Sequence, residues 1–418
     1  MTRLLAIGDI HLGRQPSRLP PQLREQGLTP AAALERAVDC AIEARVAAVL
    51  LAGDVVEQED DLYEALGDLE RAVRRLDDAG IPVYGVAGNH DTTVLPRLAD
   101  AIPAFTLLGR GGEWETVAIA GVTISGWSFP QPTWPESPLA TGPGKAPPGR
   151  PHLGLLHCDR DQSASHYAPV SGRALAAAPV NAWLLGHIHR PDDLAAAPGG
   201  GYLGSLMGLD PGEPGAHGPW LVTVADDGRV TFRQQPISPL RWETVAVDLT
   251  ELADPEALPA LVTGALDRLH DELVAAGPLP RAVGCRLRFI GRTPHRAAVE
   301  AELAQGDLTD YRRERDGCAY FVEAWRMAAQ PALDLDELAM GSDPVALLAA
   351  RLRILEGPDS PERRTLLAEA REQLRPQWQA REFAGLGDGE PDDDELLAVV
   401  REAGLQALDA LLDQREAS

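Results

Sequence analysis

Val83-Tyr84-Gly85-Val86-Ala87-Gly88-Asn89-His90-Asp91 decides how the rest of the chain is read. An apolar, β-prone run stops at a glycine and then presents an amide, an imidazole and a carboxylate in succession. The carboxyl end of a strand is where an α/β sheet puts its chemistry, and glycine lets the backbone turn sharply there. These oxygen and nitrogen donors suit a divalent cation. One such tetrapeptide says little, because short patterns recur by chance. Here the construction recurs along the chain. Apolar runs lead into Gly8-Asp9-Ile10-His11, into Gly53-Asp54, into His157 and into Gly186-His187-Ile188-His189.

Between the first three strands lie two amphipathic stretches. Residues 31–45 carry Leu34, Val38 and Ile42 at helical spacing. Residues 60–79 carry Leu62, Leu66, Leu69, Val73 and Leu76 before Gly80. Alternating strands and helices predict a βαβαβ unit with parallel strands. That topology sets Asp9, Asp54 and Asn89 along one sheet edge. The Asp9-x-His11 and His187-x-His189 pairs have a strand's period of two, so both members of each pair can face the same way.

Beyond residue 115 the runs shorten, at 115–120, 122–127, 153–157, 182–186, 220–225 and 230–234. Ala197-Pro198-Gly199-Gly200-Gly201 and Asp226-Asp227-Gly228 read as hairpin turns. A second, mostly antiparallel sheet stacked on the first is the economical reading. Residues 131–150, rich in proline and glycine, read as a surface loop. Composition shifts at 236–240. After it, strands at 243–248, 283–290 and 318–325 and helices at 255–276 and 296–305 make an α+β module. Past Pro331 the chain turns helical and acidic, at 344–355, at 361–383 (kinked or broken at Pro376) and at 392–414, with 385–391 as a link. The expected division is 1–238, 239–330 and 331–418.

The chain has 418 residues and a formal charge of −25, which argues against wholesale attraction to nucleic acid. Lys145 is the one lysine. Cys40, Cys158, Cys285 and Cys318 are scattered, as expected of reduced thiols in a cytoplasmic protein. No signal peptide and no membrane-spanning run is expected.

Taken in order, the five donor clusters resemble those of the calcineurin-like binuclear metallophosphoesterases, over roughly residues 1–235. The resemblance implies an α/β/β/α sandwich holding two divalent ions; donors that are hard or borderline, with no thiolate, suit Mn, Fe or Zn, Mn²⁺ foremost. Asp9, His11 and His189 would hold one ion; Asn89, His157 and His187 would hold the other, with Asp54 bridging. His90 would assist the leaving oxygen, and Asp91 would orient His90. Asp9-Ile10-His11-Leu12-Gly13, His166-Tyr167-Ala168-Pro169 and Gly186-His187-Ile188-His189-Arg190-Pro191 are similar to the SbcD/YhaO-type DNA-repair nucleases. Tyr202-Leu203-Gly204-Ser205, Glu213 and Gly218 continue that likeness. It implies DNA as substrate, a capping module after the phosphoesterase domain and a helical tail that binds an SMC-like ATPase. It also implies a homodimer formed through the N-terminal domain. Glu57 falls where many relatives carry Asp or His, and no role follows from that.

Arg281, Arg286, Arg288, Arg292 and Arg296 form a local basic cluster. Arg286, Arg288 and Arg292 are the candidate DNA contacts, with a salt-bridged surface as the alternative. Leu397, Val400, Leu405, Leu408 and Leu412 form a stripe for a partner or for the tail's own packing. Two rival functions stay open: a phosphodiesterase or phosphatase acting on a small ester, and a scaffold without catalysis.

Overall fold

The computed structural model describes residues 1–144, 147, 149–306, 308–378 and 392–416. The expected link at 385–391 and the end of the helix expected to reach 383 lie outside the described residues. The chain forms two compact units, Met1–Gly291 with Ala297–Ala328, and Arg292–Arg296 with Ala329–Ser418.

Strands β1 (Thr2–Ile7), β2 (Val49–Leu51), β3 (Val83–Gly85) and β4 (Phe105–Leu107) run parallel in that order. Helices α1 (Pro30–Ala44), α2 (Leu62–Asp78) and α3 (Val94–Ala101) connect them. Helix α1 starts where the Thr29 hydroxyl accepts the Ala32 N–H and Pro30 fills the first turn. Strand alternation then sorts the side chains. Leu5, Ile7, Val49 and Leu51 pack on Leu34, Val38, Leu69 and Val73 of the helices. Leu4, Ala6 and Leu50 point the other way, onto Ile124, Leu153, Leu155 and Leu184 of a second sheet.

That second sheet consists of β5 (Glu115–Ile119), β6 (Val122–Trp127), β7 (His152–His157), β8 (Ala182–Gly186) and β9 (Gly200–Tyr202). Its outer residues Leu156, Trp183 and Leu185 pack with Leu175 of α4 (Gly172–Ala177). The layers are therefore α/β/β/α.

Two expectations are corrected here. Only β5 and β6 pair antiparallel, whereas β6 to β9 pair parallel. Each step between those parallel strands is a crossover, which a tight turn cannot supply. The segment 197–201 accordingly delivers β9 alongside β8 and turns no hairpin. The runs at 220–225 and 230–234 also leave the second sheet. They form β10 (Trp220–Val224) and β11 (Val230–Gln234), a hairpin turning at Gly228. Strand β10 lies antiparallel to β1 and covers an edge that would otherwise be unpaired.

The chain continues through β12 (Leu240–Asp248), α5 (Leu258–Ala276), β13 (Ala282–Ile290), β14 (Arg292–Thr293), α6 (Arg296–Gln305), β15 (Arg312–Arg315), β16 (Cys318–Met327) and β17 (Gln330–Pro331). Strands β12, β13 and β16 are parallel, and β15 closes the sheet antiparallel to β16. The Trp242 indole donates to the Gly208 carbonyl at 3.1 Å, and Trp242 shares a core with Leu206, Met207 and Leu209.

In the second unit, β14 pairs with β17, followed by α7 (Leu335–Leu338), α8 (Pro344–Glu356), α9 (Pro361–Trp378) and α10 (Asp393–Glu416). Helix α9 continues past Pro376 to Trp378, so the chain does not break there. Leu405, Leu408 and Leu412 pack with Val345, Ala349 and Leu352 of α8, while Leu397 and Val400 pack with Leu355 and Leu367. The C-terminal stripe is thus largely covered by its own unit. Among the described residues, no helix is long and apolar enough to cross a membrane.

Candidate metal centre

Strands from both sheets deliver their donors to one margin. Asp9 and His11 follow β1, Asp54 follows β2, Asn89 and His90 follow β3, His157 ends β7, and His187 and His189 follow β8. The turns that hold them are strained. Asp9, His11, Asp54 and His187 have φ of 43°, 55°, 48° and 102°, a region that residues with a side chain rarely adopt. Such backbone persists only where its surroundings enforce it, and it gathers at functional sites. The enforcement is visible. The Asp9 carboxylate accepts the His187 N–H at 2.9 and 3.2 Å, and Asp54 Oδ1 accepts the His90 N–H at 3.0 Å.

The ligand-capable atoms of Asp9, His11 and His189 lie within 4.8 Å of one another, as do those of Asp54, His157 and His187. Asn89 Oδ1 joins the second group, 3.0 Å from His157 Nε2. Hydrogen bonds orient the rings of His157 and His189, and a close carboxylate contact orients that of His11. A carbonyl can only accept, so His157 Nδ1 donates to the Ala52 carbonyl at 3.0 Å, and its Nε2 faces Asn89 Oδ1 at 3.0 Å and Asp54 Oδ2 at 3.3 Å. His189 Nδ1 meets Glu213 Oε1 at 2.7 Å, and His11 Nδ1 meets Glu57 Oε2 at 2.7 Å. The remaining Nε2 atoms of His11 and His189 face each other at 3.0 Å. Nitrogens and oxygens crowded this closely repel unless a proton or a cation lies among them. Both donor groups therefore fit a divalent cation, and neither offers a thiolate.

The electrostatics agree. Burial would raise the Asp54 pKa, but the charge and hydrogen bond of His157, with His11 and His90 behind, hold it well below the usual carboxylate range. Burial would lower that of His157, but Asp54 and Asp9 push it up to about 9. His187 is brought down to about 4 by burial and by the charge of His157. Without a cation, this pocket draws a proton onto His157; cation binding would release it.

His90 is exposed at the rim, with Nδ1 donating to the Glu57 carbonyl at 3.0 Å. Its Nε2 is the ring nitrogen left for a substrate. Asp91 does not touch it. The Asp91 carboxylate is fully buried and accepts the Val55 N–H at 2.7 Å and the Gly88 N–H at 2.8 Å. Its expected role as the orienter of His90 is corrected to that of a clamp between two ligand loops, because its side chain turns into the core while that of His90 turns out. The basic cluster also divides. Arg286 pairs with Glu323 at 2.7 Å, and Arg288 is exposed. Arg292 belongs to the second unit, where its guanidinium is committed to Asp409 and to the Pro331 carbonyl.

Three carboxylates to which the sequence alone assigns no role contact the donor imidazoles. Glu57 faces His11, Glu213 faces His189, and Asp159 Oδ1 lies 3.2 Å from His187 Nε2. Asp159 had a readable signal, since His157-x-Asp159 repeats the period of Asp9-x-His11. Glu213 continues the family likeness, but nothing local in the sequence points to its contact with His189.

Residues 2–191 match the family model described as calcineurin-like phosphoesterase. The N-terminal part of the chain is a calcineurin-like metallophosphoesterase domain. The uncharacterized metallophosphoesterase YhaO of Bacillus subtilis is 27% identical to this chain over 264 residues, 57% of this chain and 60% of that one. The DNA double-strand break repair protein Mre11 of Haloferax volcanii is 39% identical over 115 residues, 27% of this chain and 21% of that one. The chain thus spans less than two thirds of either relative. A dimetal phosphatase structure from Danio rerio is similar over 56% of this chain and 96% of its own, at 13% identity and a TM-score of 0.37. Metallophosphoesterase domains bind divalent metals, and the two donor groups of this one are the candidate positions.

Proposed function

We propose that this protein is a metal-dependent DNA nuclease, the nuclease subunit of an SbcCD-like ATPase–nuclease assembly in DNA repair or end processing. The reading is carried by the two donor groups gathered beside the exposed imidazole of His90. Asp9, His11 and His189 would hold one divalent cation, and Asn89, His157 and His187 the other, with Asp54 bridging; Mn²⁺ is the proposed metal. When bound, such a pair supplies water of lowered pKa and neutralises a phosphoryl group. Glu57 and Glu213 keep the Nδ1 protons of His11 and His189 turned away from the centre. His90 holds one proton on Nδ1 against the Glu57 carbonyl, so in its imidazolium form it can give the Nε2 proton to the departing sugar oxygen.

The likeness to proteins named for DNA double-strand break repair supports DNA as the substrate. Arg286 and Arg288 are the proposed contacts to it. In the helical tail, Met340, Leu347 and Val399 stay exposed, and these apolar positions would meet the SMC-like ATPase. We further propose a cytoplasmic homodimer; the free, mostly buried cysteines agree with a reducing compartment. The charge of −25 favours a second reading, a phosphodiesterase acting on a small phosphate ester. The deciding experiment is Mn²⁺-dependent digestion of labelled DNA ends by wild type and His90→Ala, with and without the co-purifying ATPase. Hydrolysis of bis-p-nitrophenyl phosphate with no DNA cleavage, even with the ATPase present, would establish the second reading instead.

A further inference from the structure

In a chain of charge −25, one cleft away from the metal centre is lined by arginines. It encloses about 520 Å³ between the loop that follows His11 and the edge of the α+β sheet. Gln22 and Gln26 stand on the loop side. Arg281, just before β13, and Arg312, Arg313 and Glu314 of β15 stand on the other.

The edge strand sorts these charges by alternation. Arg313 and Arg315 turn to α5, where both pair with Asp267, at 2.9 and 3.0 Å. Arg312 and Glu314 occupy the exposed positions. The Arg312 guanidinium donates to the Thr309 and Tyr311 carbonyls at 2.6 and 2.7 Å and lies 5.7 Å from the Phe321 ring centre. Arg281 reaches the Gln26 carbonyl at 3.4 Å. Among the described residues, neither guanidinium has a carboxylate partner. Carbonyl oxygens hold such groups in place without cancelling their charge. Arg36 adds to the effect, its pKa lowered by burial and by the charge of Arg281 close by.

Fixed, uncancelled guanidinium groups facing side-chain amides match phosphodiester oxygens, which accept from both. The loop ties this cleft to the metal centre. From His11 to Gln22 the chain can span at most about 39 Å, or about eleven base pairs along a duplex. We propose that the cleft binds the sugar–phosphate backbone of a nucleic acid whose scissile bond lies at the metal centre, an inference that rests on the nuclease reading. Glu314 is the opposing charge within the cleft, so it gives the idea a second sign to test.

The experiment measures binding of a short labelled duplex by fluorescence anisotropy in EDTA, from 50 to 200 mM salt, using the full chain. Arg281→Ala/Arg312→Ala should weaken binding about tenfold and flatten the salt slope by about two. Glu314→Gln should tighten binding. Hydrolysis of bis-p-nitrophenyl phosphate with Mn²⁺ should be unchanged in both variants, which also reports that they fold. Arg312→Ala alone, on the exposed edge, serves if the double variant does not fold. Unchanged affinity and slope, in a wild type that cuts DNA, would overturn the inference and leave the nuclease reading standing. A wild type that hydrolyses the ester but neither binds nor cuts DNA with its ATPase would overturn both.

Discussion

His11 and His189 meet Nε2 to Nε2 at 3.0 Å, and each turns its Nδ1 to a glutamate, Glu57 and Glu213 respectively. A shared proton or a cation relieves the repulsion between two such nitrogens, and the Asp9 carboxylate beside them suits the cation. Glu57 also presents its carbonyl to His90, so one residue positions both a donor and the exposed imidazole.

The glutamates should therefore control cation affinity without touching the cation. Glu213→Gln and Glu57→Gln should each weaken Mn²⁺ binding by about 10- to 100-fold, measured by calorimetry on chelator-stripped protein. For wild type, Mn²⁺ at a hundred times its dissociation constant should stabilise the fold by about 2.7 kcal/mol, read as a rise in Tm. Glutamine variants that bind Mn²⁺ like wild type would show that the carboxylates orient nothing.

Adjacent residues should fail in different ways. His90→Ala should lower kcat by about 10² to 10⁴ and leave cation affinity and Tm near wild type, because the ring is exposed. Asp91→Ala should instead strand the buried N–H groups of Val55 and Gly88, at about 1–3 kcal/mol each. A chemical-denaturation series measures the second effect and steady-state kinetics the first. If Asp91→Ala kept its stability and lost only kcat, the clamp described here would be the wrong account.

Much of the centre is legible in the sequence, because its logic is local. A strand, a glycine and a donor make a pattern of three adjacent features, and Asp9, Asp54, Asn89 and His187 each sit in one. What stayed hidden depends on contacts remote in sequence. Glu213 meets His189 only after the chain passes β9, and the carbonyl that holds His90 comes from the loop after β2. Adjacency in sequence suggests that Asp91 contacts His90, whereas successive side chains in this turn diverge, Asp91 to the N–H groups of Val55 and Gly88 and His90 to the Glu57 carbonyl. The second sheet departs from expectation for a related reason. Short runs with glycine between them read equally well as hairpins or as parallel strands, and the crossover through α4 decides the matter.

Gly88 exists for Asp54. A Cβ at position 88 would overlap the Asp54 carboxylate and crowd its backbone N–H. Gly88→Ala should expel that carboxylate and abolish binding at the group formed with His157 and His187, while the group of Asp9, His11 and His189 keeps an ion. Metal analysis after dialysis should fall from two ions per chain toward one. Retention of both ions would mean that the loop after β3 has slack that the packing does not show.

A last test concerns stability and not the centre. His152 is 2% exposed, with Nδ1 donating to the Pro179 carbonyl at 2.9 Å and Nε2 at 2.8 Å from Ser125 Oγ. Burial lowers its pKa, against a smaller opposing pull from the Pro179 carbonyl. In the unfolded chain the ring takes a proton near pH 6.5, and in the folded chain only below that. The unfolded state therefore binds more protons as the solution is acidified, and the stabilisation is present above about pH 6.5 and lost as pH falls through it. Urea unfolding at pH 7.5, 6.5 and 5.5 should show wild type losing stability faster than His152→Gln. The variant starts less stable at pH 7.5, because its amide fills the ring's space poorly, and the two curves converge toward acid. Parallel curves would mean that His152 titrates alike in both states and that its burial does not discriminate between them.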